Sequence, residues 1–307
     1  MPDTLTNRNT PPFGRVLTAM ATPFHQDGSL DLDGAAALGT HLVDNGCDGL
    51  VLNGTTGQSP TTSDSEKEQL VRVVLDAVGD RATIIAGVGT YDTHHTVELA
   101  RQAEKAGAHG LLVVTPYYSK PSQDGLLQHF RTAADATGLP VMLYDIPPRS
   151  VVPIAHDTMR RLAEHDRIVA VKDATGNVSQ ASEHIAATGL AYYSGDDGLN
   201  LPLLSVGAVG MVSVAAHAAA TEYAEMVRAF DAGDVQRARM IHYQLIPAVR
   251  AMLTRAPGAT MANAVAEMTG VIASRTMRLP LVAATDEEMT ELRAGLVDAG
   301  LKVAGAA

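Results

Sequence analysis

Lys172 is the residue of this sequence with the most chemistry within reach. It follows the apolar run Ile168-Val169-Ala170-Val171, which reads as a buried strand, so its stem leaves that strand in a desolvated setting. Desolvation disfavours an ammonium and lowers its pKa, and a neutral amine attacks a carbonyl carbon to form a Schiff base. The position also suits a plain ion pair with Asp173 or Asp145, and the residues alone leave both readings open. Tyr144 ends the apolar stretch one unit earlier. Neighbouring strands lie about 4.8 Å apart, so its phenol can pass protons to and from a carbinolamine on the lysine. Otherwise it is a rim tyrosine with an apolar ring and a wet hydroxyl. Gly54-Thr55-Thr56-Gly57 offers backbone N–H groups and two hydroxyls to a carboxylate or phosphate, or is an ordinary tight turn. Arg149, five residues past Tyr144 and stiffened by Pro147 and Pro148, can grip a carboxylate bidentately or lie solvated at the surface.

These side chains need elements to place them. Short apolar, β-branched runs recur at Arg15–Met20, Gly49–Asn53, Thr83–Gly87, Gly110–Thr115, Pro140–Tyr144, Ile168–Lys172, Ala191–Ser194 and Gly210–Val214. Most lack alternation, as expected of parallel strands buried on both faces. Helical patterns lie between them, among them Ser65–Val78, Thr93–Ala106, Gly125–Thr137 and His156–His165, with Ser63 or Ser65 and Thr93 as candidate N-caps. Gly46, Gly79, Gly107 and Gly138 stand where left-handed C-caps are wanted. Eight strand–helix units predict an α/β chain folded as a (β/α)₈ barrel, whose active site lies at the C-terminal ends of the strands. That rule selects the residues above, and also Thr115-Pro116-Tyr117-Tyr118 and Ser194-Gly195-Asp196-Asp197. The expected organisation is a tail over 1–13, the barrel over 14–221, and a helical extension over 222–307 with helices at Thr221–Ala232, Val235–Leu253, Met261–Thr269 and Asp286–Ala299. A doubly wound dinucleotide-binding sheet is disfavoured, because Gly87-Val88-Gly89 and Gly207-Ala208-Val209-Gly210 fail the GxGxxG spacing.

Composition narrows the field. The chain has 307 residues, 46% of them hydrophobic, and a net charge of −11, which speaks against a nucleic-acid partner. The one cysteine, Cys47, precludes an intramolecular disulfide. No charged residue occurs between Asp197 and Glu222, but Pro202, Gly207, Gly210 and His217 make that stretch read as helix, turn and buried strand rather than a membrane span. With no signal peptide visible in Met1–Gly14, the expected location is the cytoplasm. His94, His95 and Glu98 have metal-like spacing on one helix but no evident third ligand, so no metal is expected.

The residues together resemble a known family, the dihydrodipicolinate synthase / N-acetylneuraminate lyase superfamily of pyruvate-dependent class I aldolases. The resemblance runs from about Gly14 to Leu301 and rests on Gly54-Thr-Thr-Gly57, Val114-Thr-Pro-Tyr-Tyr118, Tyr144-Asp-Ile-Pro-Pro-Arg149, Val171-Lys-Asp-Ala-Thr-Gly176 and Ser194-Gly-Asp-Asp197. It implies a homotetramer of barrels and a covalent lysine–pyruvate imine at Lys172, with no metal or organic cofactor. By the same resemblance Tyr144 and Thr55 belong to a proton relay, and Tyr118 matches a tyrosine contributed from a neighbouring subunit. Gly54 and Thr56 match the pyruvate carboxylate site, and Arg149 the arginine that receives aspartate semialdehyde. Gly195 and Val212 match backbone positions lining the pocket.

Arg149 favours the synthase branch, since a semialdehyde bearing a carboxylate needs a cation. The alternatives are an aldolase for a sugar-derived keto acid and a non-catalytic barrel that binds a keto acid. Gln58 and Pro148 depart from the family pattern and are expected to bear on the acceptor pocket. Asp64, Lys67, Tyr91 and His95 stand where lysine-sensitive relatives hold an inhibitor, and their chemistry predicts weak or absent lysine inhibition.

Overall fold

The computed structural model describes residues 11–302; most of the expected N-terminal tail and the last five residues lie outside them. Eight strands alternate with helices in the order β1 (Val16–Ala19), α1 (Leu32–Asp44), β2 (Gly49–Leu52), α2 (Asp64–Val78), β3 (Thr83–Gly87), α3 (Thr93–Ala106), β4 (Gly110–Val114), α4 (Gln123–Asp135) and β5 (Val141–Asp145). Then follow α5 (Pro147–Ser150), α6 (His156–Leu162), β6 (Ile168–Asp173), α7 (Val178–Thr188), β7 (Ala191–Ser194), α8 (Asn200–Ser205) and β8 (Gly210–Ser213). The chain ends with α9 (Ala216–Asp231), α10 (Val235–Leu253), α11 (Gly258–Met268) and α12 (Asp286–Asp298). The strands form a closed barrel in sequence order, β1 to β8. This is the expected (β/α)₈ fold. Nearly every strand residue is buried, as a parallel sheet covered on both faces requires. The uncharged stretch after Asp197 resolves into α8, a turn at Gly207 and β8. Among the described residues no helix is long and apolar enough to cross a membrane.

Several local expectations are corrected. Ser63, not Ser65, caps α2, in a reciprocal capping box with Glu66. Asp92 rather than Thr93 caps α3: its carboxylate accepts from the His94 N–H, and Thr93 becomes the first helical residue. Gly46 and Gly107 adopt the left-handed conformation (φ 104° and 96°), but Gly79 is right-handed at φ −65°, and Gly138 is not among the positive-φ residues. The short helix α5 was not anticipated. Its two prolines suit the first helical positions, where a missing N–H costs nothing.

The chain divides into two compact units by its internal contacts. The first comprises the segment up to Arg15 and Thr83–Val212. It holds β3 to β7 and packs α4 on α3 and α6, and α6 on α7. Phe13 is fully buried here, its N–H 3.3 Å from the Tyr193 hydroxyl and its ring tilted against that phenol at 6.5 Å. The second unit comprises Val16–Ala82 and the chain from Ser213. In it α10 packs on α9, α11 and α12. Arg278 ties its loops together: the guanidinium forms a bidentate pair with Glu66, donates to the carbonyls of Gly28 and Thr61, and stacks 4.4 Å over the Phe24 ring.

Two glycines of the first unit separate backbone crowding from helix propensity. A Cβ on Gly210 would stand 2.2 Å from the Arg15 carbonyl oxygen, whereas one on Gly125 in α4 meets nothing nearer than 3.5 Å. Gly210→Ala is expected to destabilise by about 2–3 kcal/mol and Gly125→Ala to stabilise by roughly 0.5 kcal/mol, read as opposite shifts of the urea unfolding midpoint.

Candidate active site

Strand register brings the first-unit candidates together. Tyr144 on β5 pairs with Lys172 on β6, and Lys172 pairs with Tyr193 on β7. Paired residues of a parallel sheet share a face, and their chain neighbours point the opposite way. Lys172 and Tyr144 therefore lie side by side, while Asp145 and Asp173 face away from them. The Lys172 Nζ sits 4.3 Å above the centre of the Tyr144 ring, and both residues are buried. The ion-pair alternative fails on this parity. Asp173 accepts from the N–H and hydroxyl of Thr175, Asp145 accepts from the Ile154 N–H, and neither pairs with Lys172.

Burial pushes the Lys172 pKa down to about 8; the Asp197 carboxylate opposes this and the Arg149 guanidinium reinforces it. About one amine in ten is then neutral near pH 7, against a few in ten thousand for a solvated lysine. Gly195 makes room beside it. A Cβ there would stand 3.0 Å from both the Lys172 Cγ and the Asp173 carbonyl, and the Gly195 N–H donates to that carbonyl at 2.7 Å. Ser194 pairs with Met211, which sets Val212 on the same face as Lys172, and Val212 is buried.

Arg149 projects from α5 into an open cleft of about 810 Å³ that it lines with Tyr117, Tyr118, Lys120 and Val151. Tyr118, Lys120 and Val151 all adopt positive φ (71°, 48° and 70°), strain that non-glycine residues accumulate at functional loops. Tyr118 is 89% exposed. Asp197 belongs to a strand-end motif named above, whereas Lys120 and Val151 carry no signal in the sequence. Nothing in their types marks them, because their relevance comes from loop geometry alone.

In the second unit the turn after β2 is held at both ends. Asn53 and Gln58 flank it with left-handed backbones (φ 56° and 55°). The Asn53 amide donates to the Lys67 carbonyl, and the Gln58 side-chain Oε1 accepts from the Arg278 backbone N–H. Within the turn Gly54 is partly buried, Thr55 is exposed and Thr56 is buried. A Cβ on Gly57 would meet Thr22 and Met20 at 3.0 and 3.2 Å, and the Thr22 hydroxyl donates to the Gly57 carbonyl. Gln58, expected to bear on the acceptor pocket, is buried with its amide engaged by Arg278 and Met277.

The sequence profile of the Dihydrodipicolinate synthetase family matches residues 12–299. The chain belongs to this family. Among its dihydrodipicolinate synthetase relatives, a protein named 4-hydroxy-tetrahydrodipicolinate synthase from Kineococcus radiotolerans is 62% identical over 290 residues, covering 94% of each chain. The crystal structure of a dihydrodipicolinate synthase from Bacillus anthracis superposes with a TM-score of 0.89 at 42% identity, covering 93% of this chain and 98% of that one. A family member from Acinetobacter baumannii, described as complexed with pyruvate, gives 0.90 at 34% identity over 94% of this chain and all of its own.

The opposing charges beside Lys172 set its titration. The neutral amine accumulates as pH rises through about 8. Asp197→Asn, which removes the charge that stabilises the ammonium, is expected to move the midpoint down. Arg149→Ala removes the repelling charge and moves it up. The rate of Lys172 modification by an amine-selective reagent, followed by peptide mass against pH, reads both shifts.

Proposed function

We propose that this chain is a Schiff-base lyase that condenses pyruvate with L-aspartate 4-semialdehyde to give 4-hydroxy-tetrahydrodipicolinate, a step toward diaminopimelate and lysine. The observation that carries the reading is the buried Lys172 amine, paired with neither Asp145 nor Asp173, held over Tyr144 and weakened as a base by its surroundings.

The chemistry follows from what such an amine can do. Neutral Lys172 adds to C2 of pyruvate; the carbinolamine loses its hydroxyl as water to leave an imine, and loss of a methyl proton turns the imine into an enamine. The enamine carbon adds to the aldehyde of the second substrate. The amine of that substrate then displaces Lys172 from the former C2, closing the ring and freeing the enzyme. Each addition and elimination moves a proton, and the Tyr144 hydroxyl, with Thr55 and Tyr118, supplies and accepts them in this reading. The turn at Gly54 and Thr56 offers N–H and hydroxyl donors to the pyruvate carboxylate. Arg149 receives the carboxylate of the semialdehyde, and the absence of a side chain at Gly195, with the apolar Val212, leaves the imine room. The covalent imine takes the place of a metal or organic cofactor. The functional unit in this reading is a homotetramer, and exposed Tyr118 is the residue offered across to a neighbouring protomer.

Borohydride reduction in the presence of pyruvate is expected to leave one pyruvyl adduct on Lys172, and a folded protein without an adduct removes the mechanism. Lys172→Ala should cut turnover by roughly a thousand-fold or more at unchanged melting temperature. Arg149→Ala should raise the KM for the semialdehyde by roughly 10- to 100-fold while the adduct still forms. Equal loss of both would contradict its role.

Lysine is expected to inhibit weakly or not at all. Lys67 is buried and its ammonium donates to the Thr62 carbonyl, while Tyr91 stands edge-on to Tyr117 at 5.5 Å, so neither Lys67 nor Tyr91 supplies a carboxylate for a ligand ammonium. Half-inhibition by sub-millimolar lysine in a coupled assay would count against this.

A further inference from the structure

Behind the face that carries Tyr144 and Lys172, the same two strands bury a pair of carboxyl groups. Asp145 and Asp173 are direct partners in the β5–β6 register, both at least 95% buried. On neighbouring parallel strands their Cα atoms are about 4.8 Å apart and their side chains share one face. Neither forms an ion pair with a lysine or arginine among the described residues. The groups around them offer little charge. Tyr192 of β7 and His184 of α7 are buried, and among the described residues the Tyr192 hydroxyl, the His184 Nε2 and the Asp145 Oδ1 have no hydrogen-bond partner. His156 of α6 lies 5.2 Å from the His184 ring, and burial with this second imidazole depresses the basicity of His184. Glu183 and Asp196 add only negative charge to the neighbourhood. His184 eases the charge on Asp173 to a small extent, but two carboxylates side by side in such a place cannot both ionise cheaply.

We propose that Asp145 and Asp173 share a single proton, resident on Asp145, and that the neutralised pair acts as a positioning device that keeps Tyr144 beside Lys172. Hydrogen bonding assigns the proton. Asp173 accepts two donors, the Thr175 N–H at 2.9 Å and the Thr175 hydroxyl at 2.8 Å, which stabilise its carboxylate. Asp145 has one, the Ile154 N–H at 3.2 Å, and leaves its other oxygen free to carry hydrogen. Burial raises the Asp145 carboxyl to about 7, and the Asp173 charge adds to the effect. The positioning follows from the chain itself. Each aspartate directly follows a candidate catalytic residue, and the Asp145 carbonyl accepts from the Ala174 N–H, so repulsion at 145 and 173 would part the ladder at the Tyr144–Lys172 step. The catalytic consequence rests on the Schiff-base reading of Lys172; the shared proton does not.

The sign of the pH effect is fixed. Asp145 has a folded-state pKa above its unfolded value, so the stability tied to its proton is full below about pH 4 and is lost as pH rises to about 7. Asp145→Asn mimics the protonated form and has no such loss. Its melting temperature relative to wild type should climb across that window and level off above it, with kcat falling no more than about threefold. A difference constant across the window, or loss of turnover in a folded Asp145→Asn protein, overturns the proposal. Infrared spectra of the full-length protein give an answer independent of that variant's folding. At about pH 6 a protonated carboxyl stretch should be present in wild type and in Lys172→Ala, whose retention of the band separates this proposal from the fate of the lysine chemistry. No such band in wild type rejects the shared proton.

Discussion

The removal of one ammonium from water organises the functional half of this molecule. Lys172 stands at the end of a strand whose every preceding residue is apolar, and the cost of desolvating its charge makes the neutral amine accessible near neutrality. The balance is fine because two neighbours pull in opposite directions. Asp197 favours the ammonium and Arg149 disfavours it, and both sit in short helical turns that follow strands rather than in the strands themselves. The strand thus sets the depth of the burial, and the segments that follow strands trim it.

Strand alternation allows one pair of strands to serve two opposed electrostatic purposes. On one face of β5 and β6 a phenol and an amine meet in an apolar setting; on the other, a single residue further along, two carboxyls are buried near His184 of α7. Placed on one face, Asp173 or Asp145 would pair with Lys172 and hold it charged. A period of two keeps them apart at no cost in sequence length. The acidic residues beside Lys172 and Tyr144 in the sequence are therefore compatible with a reactive amine.

How much of this was legible in the sequence depended on the range of the interactions. Strand cores such as Thr83–Gly87 and Ala191–Ser194 and helices such as Val235–Leu253 coincide with their sequence-based bounds, because apolar runs and amphipathic periods are local signals. Helix ends were less certain. Ser63 and Ser65 are equivalent by type, and only the reciprocal bond with Glu66 chooses between them. Among the site residues, Lys172, Tyr144 and Arg149 could be found from chemistry at strand ends. The couplings between residues could not, since Asp197 acts on Lys172 from the end of the next strand and Gln58 is claimed by Arg278 from 220 positions away. The strained backbones of Tyr118, Lys120 and Val151 left no trace in residue type, because glycine is the residue that usually announces positive φ.

Phe13 sets a boundary that strand assignments do not. Its ring occupies the space that a side chain on Gly110, the first residue of β4, would need, with Cε1 only 2.6 Å from that would-be Cβ. The hydrophobic interior is completed by a residue that precedes β1 and belongs to no strand. A shortened version beginning at Val16 would keep every strand yet open a void the size of a benzene ring at the start of β4, so the smallest intact form of this fold begins no later than Phe13.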